Sequence, residues 1–224
     1  AVADAAVVEA KIDPMTMMKP VAKINEASKK NAAAKTNTRF GLGFRNELAL
    51  FIDRAEDIAF VEILAEDYQK PTDIPQALKN LSARGIEIIP HCTSLSLGSV
   101  ELPDTKMLTH LDTLARYFSS PFVSDHIALV RSVDLESGHL LPVPRNTQML
   151  SLLTRNIVSA REKLSVPLVL ENIATTFECP GNVMDEAQFV STLLSITDCR
   201  LLLDISNLFA NSHNHKFDAV ASLK

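Results

Sequence analysis

From Arg39 onward the chain alternates short apolar runs with amphipathic stretches, without a long interruption. The apolar runs are continuous rather than interleaved with polar residues, which is the pattern of strands covered on both faces. Strands of that kind, each followed by a helix-forming stretch, mark stacked βα units and a parallel sheet. The runs are RFGLGF (39–44), IAFVEIL (58–64), IEIIPH (86–91), FVSDHIALV (122–130), LVLENI (168–173) and RLLLDI (200–205). Between them NELALFIDRA and QALKNLSA read as helices. A helix from Asp104 places Met107, Leu111, Leu114 and Phe118 on one stripe, and another carries Leu150, Leu153, Ile157 and Leu164. Asp185 and Gln188 stand at capping-box spacing ahead of Phe189, Leu193 and Leu194. RSVDLESGHLLPVP reads as a long excursion, and the Asn- and His-rich stretch after Asp204 as a loop. The expected fold class is α/β, a TIM (β/α) barrel with about six of its eight βα units in residues 38–224. Such a sheet has an unpaired edge, so a missing C-terminal segment or another chain is expected to complete it.

Four of the runs end in metal-capable side chains: His91, His126, Glu171 and Asp204. In a parallel barrel the C-terminal strand ends converge on one mouth, so residues far apart in sequence can serve one cluster. A lone histidine at a strand end is more often a hydrogen-bonded structural residue than a ligand. Recurrence at four strand ends shifts that balance toward a metal site. Asp125 and His126 are adjacent and point to opposite faces of a strand. His126 is read as the ligand, with Asp125 as its orienting group or as a capping acid. Glu171 follows VPLVL and would be a carboxylate buried at a core strand end, which calls for a cation or for a salt bridge to Arg or Lys. Asp204 repeats the situation, with a helix N-cap as the ordinary alternative, and Asn207 follows it closely. Two buried carboxylates in one mouth repel unless protons or metal bridge them. His213, in the HNH stretch, is a weaker candidate, for which an ordinary polar loop serves equally well. His110 on a helix and His139 in a loop are expected not to be ligands. Imidazole and carboxylate without thiolate suit iron, manganese or zinc, and bridging carboxylates favour more than one ion.

Composition narrows the class further. A formal charge of −5, with 22 basic residues distributed among 27 acidic ones, provides no basic stripe, so nucleic acid is not an expected partner. No apolar run approaches the ~20 residues that span a bilayer, and a membrane role is not expected. Cys92, Cys179 and Cys199 are an odd, scattered set without a CxxC pair, which fits a reducing, cytoplasmic setting better than a disulfide framework. Residues 1–37, rich in Ala, Lys, Asn and Met and without an aromatic residue, read as a flexible N-terminal extension. The first residue is Ala rather than Met, which suggests processing or truncation upstream. The sequence has no GxxxxGK[ST] loop and no GxSxG elbow, and GLG is too short for a dinucleotide fingerprint.

HCTSLSLG, SDHIAL, LLPVP, LVLEN and LLLDISNLFANSHNH, in that order, resemble the MbnB-like family of multinuclear non-haem iron enzymes. Members of that family build methanobactin and related products by oxidising cysteines of ribosomally made peptides. The likeness spans residues 39 to 224. It implies a TIM barrel whose mouth holds two or more iron ions, and dioxygen-dependent oxidation of a precursor peptide, often with a small protein that recognises the leader peptide. It also implies that His91, His126, Glu171 and Asp204 are metal ligands, with Asn207 beside Asp204 as a weaker assignment. Family members continue through two more barrel units carrying further ligands, so the resemblance implies truncation at the C-terminus. Ser206 stands where the family often has asparagine, and Lys216 where glycine is common. Two other readings remain: a metal-dependent barrel hydrolase or isomerase acting on a sugar or phosphoester, and a truncated, non-catalytic interaction protein.

Overall fold

The computed structural model describes residues 39–133 and 135–223, and the extension expected over residues 1–37 lies outside them. Six strands form one parallel sheet: β1 (Gly41–Gly43), β2 (Phe60–Leu64), β3 (Glu87–His91), β4 (Val123–His126), β7 (Leu168–Glu171) and β8 (Arg200–Leu202). They are neighbours in that order, and each pairs in parallel with the next. The helices are α1 (Ala49–Asp53), α2 (Gln76–Ala83), α3 (Thr105–Phe118), α4 (Thr147–Arg161), α5 (Glu186–Thr197) and α6 (Ile205–His215). The architecture is a partial TIM barrel, six parallel strands curled with helices outside, as the alternation of runs predicts.

Three local expectations are corrected. The excursion after β4 is an antiparallel hairpin, β5 (Leu129–Ser132) with β6 (Leu135–Leu141). The stretch expected as a loop after Asp204 is α6. Its buried face consists of Leu208, Asn211 and Ser212 and is therefore mostly polar, so the sequence shows no apolar stripe. NELALFIDRA is not one helix but a 3₁₀ turn, Asn46–Leu48, followed by the single turn-and-a-half of α1.

Helices α3, α4 and α5 begin where side chains cap their free N–H groups. The Asp104 carboxylate accepts from the amides of Lys106 and Met107, Asn146 from Met149, and Asp185 from Gln188. Helices α3, α5 and α6 end on left-handed residues, Ser119, Asp198 and Lys216, and after α3 and α5 the chain returns to the sheet. The apolar stripe of α3 is buried at Leu108, Leu111, Leu114, Ala115 and Phe118, while Met107 lies half-buried at its margin.

Strand faces divide cleanly. Val61, Ile63, Ile88, Val123, Leu168 and Leu170 point outward into the helix layer, where they join Leu78, Leu81, Leu108, Leu153, Ile157, Phe189 and Leu193 in one apolar core. Each such side chain contributes about 1.5–3 kcal/mol relative to exposure. The alternate residues face the barrel interior. Strand register sets their height: His91 is level with Ser124, and His126 with Glu171.

Candidate metal centre

Three strand ends bring His91, His126 and Glu171 together. The Nε2 atoms of His91 and His126 lie 3.7 and 3.5 Å from Glu171 Oε2. The two imidazole rings meet edge to face, with centroids 4.7 Å apart. All three residues are buried, at 5%, 6% and 8% exposure, so water does not satisfy them as it would at the surface. Placement follows from the chain: in β3, β4 and β7 the inward positions at the C-terminal end fall on these residues.

The electrostatics match, in sign, what a cation requires of its surroundings. Burial pushes the Glu171 carboxyl up to about 7, with the charges of Glu62, Asp204 and Asp125 adding to it. Burial lowers both imidazoles, and His126 falls to about 4 with the neighbouring His91 contributing. At neutral pH both rings are therefore neutral, with lone pairs available, and the contacts to Glu171 are not ion pairs. His91 Nδ1 bonds Ser124 Oγ at 2.8 Å, whereas His126 Nδ1 is buried without a partner.

The donor set fits a metal ion. One donor atom from each of the three residues lies within 4.8 Å of the others. Ligands of one ion, at ~2 Å from it, sit about 3 Å apart, close to the 3.5 and 3.7 Å seen here. Two imidazoles and a carboxylate are borderline donors that suit iron, manganese or zinc and do not by themselves select among them.

Asp204 and Asn207 sit beside this group. Asp204 is the N-cap of α6, its Oδ1 accepting from Asn207 N at 2.9 Å, so the capping role open to it in the sequence is present. Its charge still reaches His126 and Glu171. The side chain of Asn172 forms a reciprocal pair with the Asp204 backbone, accepting from its N–H at 2.8 Å and donating to its C=O at 3.1 Å. This adds one rung beyond the last β7–β8 pair, Glu171 with Leu202. Asn207 Nδ2 donates to the Asn172 carbonyl at 3.0 Å. Asp125 faces away from the two histidines, its Oδ2 accepting from Leu95 N at 3.0 Å and its Oδ1 from His126 N, and complete burial raises it to about 7.

Sequence reasoning passed over Glu66. It follows β2, and its Oε1 gathers hydrogen bonds from Thr93 N (2.8 Å), Thr93 Oγ1 (3.1 Å), Ser94 Oγ (2.7 Å) and Cys92 Sγ (3.3 Å). Burial raises its carboxyl, yet these bonds together bring it below the usual glutamate value. Its Oε2 is buried without a partner. Glu62, on the inward face of β2, acts on His91 and Glu171 through its charge. The strand-end rule that found Glu171 does not reach either residue, since Glu62 lies in the middle of β2 and Glu66 in the 3₁₀ turn that follows it.

The remaining histidines lie elsewhere. His110 Nε2 bonds the Ala65 carbonyl at 2.8 Å, His139 is exposed on β6, and His213 bonds the Phe209 carbonyl and stacks on its ring. Cys92, Cys179 and Cys199 are free thiols. Among the described residues no helix is long and apolar enough to cross a membrane.

Comparison with known proteins bears on the fold and the family. A UPF0276 protein of Streptomyces avermitilis is 41% identical over 190 residues, 82% of this chain and 39% of that protein. One from Bordetella pertussis is 33% identical over 186 residues, 83% of this chain and 64% of that one. The chain thus spans from 39% to 64% of the length of these relatives. Among solved structures, a D-psicose 3-epimerase from Clostridium cellulolyticum, crystallised with D-tagatose, superposes with a TM-score of 0.53 at 12% identity, covering 83% of this chain and 69% of the epimerase. Endonuclease IV from Thermus thermophilus gives 0.51 at 15% identity, covering 83% and 70%. At those identities the likeness concerns the barrel fold. Residues 39–224, which include His91, His126 and Glu171, match the family described as the RiPP precursor modification enzymes MbnB/TglH/ChrH, and the chain belongs to that family.

Proposed function

We propose that this chain is the iron-holding barrel of an enzyme that oxidises cysteine residues of a ribosomally synthesised precursor peptide, with dioxygen as oxidant. The observation that carries the reading is the buried His91–His126–Glu171 group at three strand ends, with no Arg or Lys partner among the described residues, in a chain of this family. His91, His126 and Glu171 would hold the first ion. Asp204, whose backbone Asn172 ties to the end of β7, would serve a second, with Asn207 supporting it. Iron is the favoured metal, as two or more ions, with manganese or zinc as the alternatives. When bound, iron supplies the redox chemistry that joins a thiol to dioxygen.

The chain's own contribution is placement and charge. Glu171, protonated in part near neutral pH, would release its proton to admit a cation, leaving an anionic ligand in a buried site. The neutral imidazoles would add no charge of their own. The precursor peptide would enter at the mouth, with a small leader-recognition protein as partner and the cytoplasm as the setting.

A second reading, a metal-dependent isomerase or hydrolase of a sugar or phosphoester, draws on the compactness of the His-His-Glu group, which can hold a single ion as hydrolytic barrels do. One experiment separates the readings: the chain is purified without oxygen, its metals are counted, and oxygen uptake is followed with a cysteine-containing peptide. Bound iron with peptide-dependent oxygen uptake supports the oxidative reading. Bound metal with no oxygen uptake by any such peptide, and turnover of a sugar or phosphoester, favours the second. A folded chain with negligible metal defeats both and leaves a non-catalytic interaction protein.

A further inference from the structure

The two histidines of the centre are held differently, and the difference lies in one side chain of β4. Ser124 is fully buried, and on the inward face it is the lateral partner of His91 on one side and of Val169 on the other. Its backbone is fixed by the β7 ladder and by the Cys92 N–H, which donates to its carbonyl at 2.8 Å. A residue pinned this way has little freedom beyond rotation of its hydroxyl. That hydroxyl lies 2.8 Å from His91 Nδ1, its one hydrogen-bond partner among the described residues. His126, two residues further on the same face, has no counterpart: its Nδ1 is buried without a partner.

We propose that Ser124 is the positioning residue for His91, fixing the ring through Nδ1 so that Nε2 is the atom offered to the metal. The inference rests on the metal-centre reading and names the part of this chain that prepares one ligand in advance. A serine hydroxyl can both donate and accept, so the contact survives either tautomer. With a cation at Nε2 the ring proton must sit on Nδ1, and Ser124 Oγ is the acceptor placed to receive that hydrogen bond. A metal-bound histidine ordinarily gives its other nitrogen such a partner, and loss of the partner weakens metal binding. His91 is thus the anchored ligand and His126 the one free to adjust its ring.

The test uses the whole chain with zinc(II) as a diamagnetic probe. Affinity is read by competition with a chromophoric chelator, and the histidine ring nitrogens by ¹⁵N NMR. Ser124→Ala should bind zinc about 10- to 100-fold more weakly than the parent. Ser124→Thr, which restores a hydroxyl, should recover most of that loss. In the zinc-loaded parent, His91 should show a protonated Nδ1 and a metallated Nε2. Affinity of Ser124→Ala within twofold of the parent, or a metallated Nδ1 on His91, overturns the proposal while leaving the metal centre intact. A parent chain that takes up no zinc overturns the centre itself and the proposal with it.

Discussion

Among the described residues two clusters are built from histidine and carboxylate, and they are finished in opposite ways. In the cluster beneath α6, His215 Nδ1 meets Glu178 Oε1 at 3.3 Å while its Nε2 bonds Thr175 Oγ1 at 2.7 Å. Arg145 and Asn182 both donate to Glu178 Oε2. Asn211 closes the group by accepting from Thr175 N at 2.7 Å and donating to the Ile173 carbonyl and to Glu186. Positive charge and amide donors are already present there, and the cluster ties the segment after β7 to α6. At the strand ends, His91, His126 and Glu171 pair with no arginine or lysine among the described residues, their mutual contacts are longer than hydrogen bonds, and one ring nitrogen is bare. Residue type does not distinguish the two. Unmet bonding capacity does, because a buried polar group left unpaired costs about 1–3 kcal/mol and persists where something else is to bind.

The comparison can be broken most directly at Glu171. Glu171→Gln should lose bound metal by roughly tenfold or more, while His139→Gln, on the exposed face of β6, should keep it. Equal metal content in the two variants, read by elemental analysis after anaerobic purification, would remove Glu171 from the site.

The finished cluster should respond in stability rather than in metal. Asn211→Ala leaves the Thr175 amide, the Ile173 carbonyl and the Glu186 carboxylate short of partners and should cost about 2–3 kcal/mol in urea unfolding. Metal content should hold; a matching loss of metal would show that the clusters act as one.

Titration sharpens the contrast. Glu171 has its folded-state value raised from 4.5 to about 7, so its contribution to the metal-free fold is fully present below pH 4.5 and is lost as pH rises through about 7. Unfolding of metal-free parent and Glu171→Gln should coincide near pH 4 and diverge in favour of the variant by pH 8. A constant difference across that range would mean that the carboxylate is already matched by a partner.

The smallest effect is expected at Asp112, on α3. Burial raises its carboxyl, but hydrogen bonds from the hydroxyl and amide of Ser165 and from Arg116 outweigh that and hold it below the usual 3.8. Its stabilisation is therefore present above pH 3.8 and is lost as pH falls through the lower folded value. Asp112→Asn should cost about 1 kcal/mol at pH 7 and less at pH 2. A cost that does not shrink in acid would assign the effect to packing.

What could be read in advance divides along the same line. Continuous apolar runs at helix-length spacing determine parallel strands beneath helices, because a strand covered on both faces must be apolar throughout. The same runs ending in His91, His126, Glu171 and Asp204 pointed to the mouth, since strand direction alone delivers those ends to one side. Helix α6 escaped that reading because its buried face is Asn211 and Ser212 beside Leu208, and burial by hydrogen bonding leaves no apolar period. Glu66 escaped it because its role comes from a loop that returns from β3 to surround it.

The order of residues by itself determined the fold class, the family and the list of side chains from which a metal site could be drawn, because periodicity and motif order are properties of the chain. Only the tertiary structure decided which of them meet. Parallel register sets His91 level with Ser124 and His126 level with Glu171, and that height, fixed by hydrogen bonds between strands distant in sequence, turns three separate strand ends into one unfinished site.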